Sequence, residues 1–61
     1  MEIGQHVKIT KPTFLHNGVF ILQNSIVEVL QIKTDTITVL YRDKEGLAHE
    51  IPMKADDLGQ Q

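Results

Sequence analysis

The order of apolar runs and turn signals predicts an all-β domain of five strands, with one short helical turn before the last of them. Three observations carry this expectation. Val7-Lys8-Ile9-Thr10 and Ile37-Thr38-Val39-Leu40-Tyr41 alternate with the period of a half-buried strand. The stretch with the best helical spacing, Ser25 to Lys33, is rich in Ile and Val, which lose side-chain freedom in a helix and fit a pleated surface. Pro12, Asn17-Gly18, Asn24-Ser25 and Gly46 break the chain into short lengths.

Taken in order, the first strand is expected over Gln5 to Lys11, between Gly4 and Pro12. Pro12 to Ser25 reads as a long excursion around Val19 to Leu22, with Asn17-Gly18 as the signature of a short hairpin inside it. Ser25 to Lys33 is the second strand of the main series, with Val27 and Val29 on one face and Ile26, Leu30 and Ile32 on the other. Thr34-Asp35 turns the chain into Thr36 to Arg42, where Ile37, Val39 and Tyr41 share a face opposite threonines. Asp43-Lys44-Glu45-Gly46 is a tight hairpin loop, with Gly46 suited to the positive φ of a turn followed by a bulge. Leu47 to Ile51 returns as a strand, and Pro52 is expected to stop its pairing. Met53 to Asp57 suits a single helical turn, after which Leu58 drops onto the core and Gly59 to Gln61 forms a polar tail.

A chain of 61 residues has room for one domain, and a domain so small buries only about 60% of its unfolded surface. It has no cysteine, so no disulfide supplements that core, and its three histidines lack the close ligand spacing of a structural zinc site. Hydrophobic residues at 41% and charged ones at 23% are ordinary for a globular protein. The net charge of -2 gives no long-range attraction for phosphate. Glu2 follows Met1 without a basic leader, and the longest aliphatic or aromatic run is Val19 to Leu22, so neither a signal segment nor a membrane span is expected. A cytoplasmic location is the default that follows.

The order strand, long loop, three-strand meander, helical turn and final strand resembles the Src-homology-3 fold. SIVEVLQI is similar to that family's strand after its long first loop, and Glu45-Gly46-Leu47 with Ile51-Pro52 and Leu58 resembles its ending. The resemblance covers Phe20 to Leu58 and implies a small five-stranded SH3-like barrel, of bacterial or phage type. Polyproline binding in the family uses a tyrosine-rich first strand and a tryptophan pair; here the first strand reads His6-Val7-Lys8-Ile9-Thr10 and tryptophan is absent. Gly4-Gln5-His6-Val7-Lys8-Ile9 also resembles the opening of RNA-binding KOW domains, which makes Lys8, Lys11, Lys33 and Arg42 the candidate nucleic-acid contacts. Six basic against eight acidic residues weigh against that reading. The plasmid-borne trimethoprim-resistant dihydrofolate reductases share the barrel shape and line a pore with Val-Gln-Ile-Tyr, whereas the matching stretch here is His49-Glu50-Ile51-Pro52.

Catalytic chemistry finds little material. Glu50 and the adjacent Asp56-Asp57 have the types of an acid-base pair, yet carboxylates beside a helical turn serve as solvated or capping groups. His6, His16 and His49 with Glu50 or Asp56 contain the types of a metal site without its spacing. No cysteine nucleophile or glycine-rich phosphate loop is present. The sequence therefore predicts no enzyme, no metal and no cofactor.

The surplus of apolar residues at Phe14, Leu15, Val19, Phe20, Ile21 and Leu22 is more informative. Alternate members, such as Phe20 and Leu22, would cap one end of a barrel if the segment is structural. If it is functional, it is a contact surface for a protein partner. The leading expectation is a non-enzymatic accessory or adaptor subunit that binds another protein through Phe14, Leu15 and Phe20. Weak KOW-like nucleic-acid binding and a homo-oligomeric structural subunit are the alternatives.

Overall fold

A computed structural model describes residues 1–60. Its elements are strands β1 (His6–Ile9), β2 (Phe14–His16), β3 (Val19–Ile21), β4 (Ile26–Ile32), β5 (Ile37–Arg42) and β6 (Ala48–Met53), a 3-10 turn (Ala55–Asp57), and strand β7 (Leu58–Gln60). Five of them form one antiparallel sheet in the order β6-β5-β4-β1-β7, while β2 and β3 form a separate hairpin. The predicted all-β class, the hairpin inside the excursion and the turn before the last strand are therefore present.

Period-two alternation decides which face each strand buries. Val7 and Ile9 of β1 point inward between exposed His6 and Lys8, and Ile37, Val39 and Tyr41 do the same in β5. The cross-strand rows Val39 with Ile51 and Ile37 with Met53 continue this face into β6. One core joins Val7, Ile9, Ile21, Val27, Val29, Ile37, Val39, Tyr41, Ile51, Met53 and Leu58. Full burial of each large aliphatic member is worth about 1.5–3 kcal/mol, and among the described residues no buried side-chain polar atom lacks a partner.

Four expectations are corrected. The first strand ends at Ile9 rather than Lys11, because the amides of Thr10 and Lys11 both turn to the Asp57 carbonyl, at 2.8 and 3.3 Å. Ile32 does not share a face with Ile26: a bulge between Val29 and Gln31 shifts the register, so Ile32 pairs with Ile37 at the rim of the inner face. Pro52 does not stop β6, which pairs onward through Thr38 with Pro52 and Ile37 with Met53. As β6 is an edge strand, a residue without an N–H is accommodated where that N–H would face off the sheet. Gly59 and Gln60 are not a tail but part of β7, in register with Lys8 and Val7, and Gln61 lies outside the described residues.

The sheet edges β6 and β7 are linked through the 3-10 turn, and no ladder between them is present among the described residues. Both edges nevertheless send side chains, Ile51, Met53 and Leu58, into the same core. What is observed is a five-stranded antiparallel sheet with a hairpin packed on its inner face.

Candidate functional site: the hairpin face and its groove

The β2–β3 hairpin turns through Asn17 and Gly18, with φ of 49° and 80°. Two consecutive positive φ values are what a two-residue turn needs to match the twist of its strands, and Asn-Gly supplies them at low cost. The resulting register sets Phe14 opposite Ile21, Leu15 opposite Phe20 and His16 opposite Val19. Cross-strand partners share a face. Phe14, Val19 and Ile21 consequently pack toward the core, with Ile21 fully buried, while Leu15 and Phe20 stand on the outer face at 60% and 67% exposure. The inward pair of β3 is thus Val19 and Ile21, not Phe20 and Leu22.

Of the three residues expected to contact a partner, Leu15 and Phe20 are brought together and Phe14 is set apart from them. Phe14 is half-buried against the core, and its ring carries the Lys11 ammonium 4.3 Å from the ring centre.

Phe20 also forms one wall of a groove of about 550 Å³ between the hairpin and the β5–β6 turn, together with Leu22, Tyr41, Leu47, Asp43 and His49. Leu22 and Leu47 are exposed. At its base the buried Tyr41 ties the hairpin down: its Oη donates to the Phe20 carbonyl and accepts from the Leu22 amide, both at 3.4 Å.

The opposite wall is a turn organised by Asp43. Its Oδ1 accepts from the amides of Glu45 and Leu47 at 2.9 Å, and its main chain bonds Leu47 and Gly46 at 3.0 Å. The other carboxylate oxygen lies 2.8 Å from His49 Nε2. That hydrogen bond is the main reason the Asp43 carboxyl titrates below its ordinary value of 3.8; burial works in the opposite direction, and the Leu47 and Glu45 amides add to the lowering. Since an ionised carboxylate only accepts, Nε2 is the protonated ring nitrogen in this contact. Asp43 and Leu47 were not among the sequence-predicted site residues, and His49 entered with His6 and His16 as a metal-ligand type. The register sets His49 opposite Tyr41 and the Asp43 amide bonds the Leu47 carbonyl, so the Asp43–His49 contact is a diagonal one across the hairpin that turn length alone does not indicate.

The basic residues expected for nucleic acid do not converge. Lys8 and Arg42 are exposed on strands that flank β4 on opposite sides, and Lys11 is engaged with Phe14. Lys33 follows the far end of β4, about 20 Å along the strand from Ile26, the partner of Lys8. Among the described residues no three His, Asp or Glu side chains are grouped as a metal site. Comparison with family models, curated proteins and solved structures finds no match for this chain.

Proposed function

We propose that this chain is a non-catalytic protein-interaction module, built on a small Src-homology-3-like barrel, that binds a partner protein through the outer face of its β2–β3 hairpin. Support for the barrel comes from the strand order, with a hairpin between β1 and β4 and a 3-10 turn before β7, and from the single core that both sheet edges reach. The observation that carries the function is the cross-strand pair Leu15 and Phe20, both more than half exposed on one face. Leu22 and Leu47 extend that apolar surface into the adjacent groove. Contiguous exposed apolar surface on a small domain marks a contact site. Among the described residues the one close titratable pair in the groove, Asp43 and His49, is engaged in holding a turn. Protein is placed ahead of nucleic acid because Lys8, Lys11, Lys33 and Arg42 are dispersed.

Affinity capture from host lysate tests the reading, using the parent chain and a Leu15→Lys/Phe20→Lys variant matched for folded content by circular dichroism. A partner retained by the parent and lost by the variant is the expected result. Equal recovery by both overturns the assignment of this face.

A further inference from the structure

Beside its apolar face, the hairpin has an edge of unused backbone hydrogen-bonding groups. With a two-residue turn, His16 and Val19 form the hydrogen-bonded pair next to it, and Leu15 and Phe20 form the following non-hydrogen-bonded pair. The N–H and C=O of Leu15 therefore point off the outer edge of β2. Phe20 occupies the mirror position on β3, and there its carbonyl is covered by the Tyr41 hydroxyl. Among the described residues β2 has β3 as its only strand partner. The edges also differ in protection. Strand β6 carries Glu50 and Pro52, residues that discourage pairing, whereas Thr13-Phe14-Leu15-His16 contains no proline, lysine or carboxylate.

Resting on the interaction face proposed above, we infer that β2 pairs antiparallel with β2 of a second copy of this chain, about a twofold axis through Leu15. Each Leu15 amide then donates to the carbonyl of the other copy's Leu15. Phe14 faces the second copy's His16, and Thr13 its Asn17, so no like formal charges of β2 meet across the axis. On the outer face the side chains form one row, Phe20, Leu15, Leu15, Phe20, across a four-stranded sheet. Edge pairing leaves the outward side of this row in solvent, so the whole exposed surface of Leu15 and Phe20, roughly 250 Å² per copy at about 200 Å² for each full side chain, is an upper limit on what they bury. That is well below the approximately 800 Å² per partner of a stable complex. The pairing is therefore weak and concentration-dependent, with the dimer emerging toward about 1 mM.

Light scattering on the parent chain over rising concentration is the first measurement; the mass is expected to climb from 6.9 kDa toward twice that value. The second uses the absence of native cysteine. In a Leu15→Cys variant the axis sets two thiols on opposed residues with Cα atoms about 5.5 Å apart, within the range a disulfide spans. Under mild oxidation it should form covalent dimer about tenfold or more faster than a Leu47→Cys control, since pairing raises the local thiol concentration. A parent that remains monomeric at about 1 mM, or equal rates for the two cysteine variants, overturns the self-pairing. If either occurs while Leu15→Lys/Phe20→Lys still loses a lysate partner, the interaction face stands and only its assignment to a second copy fails.

Discussion

Tyr41→Phe isolates the contact that fastens the hairpin to the sheet. The substitution keeps the ring, which is 5% exposed, and deletes the hydroxyl that bridges the Phe20 carbonyl and the Leu22 amide. Both bonds, at 3.4 Å, lie beyond the usual distance range. Each is accordingly assigned the low end of a net hydrogen-bond contribution, about 0.5 kcal/mol, for a combined loss of about 1 kcal/mol. The groove beside them is open enough for water to reach the freed groups, so no further penalty for an orphaned donor applies. In a domain of this size about 1 kcal/mol lowers the melting temperature by roughly 4–8 °C. Thermal melts read that shift, and native-state hydrogen exchange should show the Leu22 amide losing protection while the Val39 amide, in the central ladder, follows only global stability. A shift below about 1 °C with unchanged Leu22 exchange would refute the reasoning and leave apolar packing, chiefly of the fully buried Ile21, to anchor the hairpin.

Ile21→Ala removes that second anchor. Ile21 is fully buried, so a loss of about 2–5 kcal/mol is expected by chemical denaturation. This is a large part of the total stability of so small a domain. The pH dependence of the β5–β6 turn follows from Asp43. Its folded carboxyl titrates below 3.8, so the unfolded chain takes up the proton first. The stabilisation is fully present above the unfolded value and is lost as pH falls through the lower folded one. Melts of the parent and of Asp43→Asn at pH values above and below 3.8 should therefore show a smaller acid-induced drop in the variant; equal drops would mean that the acid loss arises elsewhere.

Strands with unbroken alternation were legible from the sequence, above all Ile37 to Arg42, because each inward side chain needs only its nearest neighbours to define a face. The turn Asp43 to Gly46 was legible for the same local reason, and Gly46 takes a φ of 83°. The bulge near Leu30 was not, since Ile26 to Ile32 carries apolar residues on both faces, broken only by Glu28 and Gln31, and neither marks where one residue drops out of register. Pro52 misled because its effect depends on β6 lying at an edge, a property of the assembled sheet. The inward and outward members of the hairpin follow from the register that Asn17-Gly18 imposes, which separates Phe14 from Leu15 and Phe20. The groove was beyond sequence reading because it joins the hairpin to a turn more than twenty residues away, through a hydroxyl whose partners are main-chain atoms.

The placement of β1 between β4 and β7 bears on the order in which the chain assembles. Strands β4, β5 and β6 are joined by short turns and can zip in sequence. By contrast, Ile9 waits for Leu58, a closure over roughly fifty residues that alone costs about 3.5 kcal/mol in chain entropy. Docking β1 on β4 first shortens the closure that remains, so the topology makes β7 the last strand to arrive. Substitutions at Leu58 should then speed unfolding while leaving the folding rate nearly unchanged. On a translating ribosome, one side of β1 stays open until the final strand emerges.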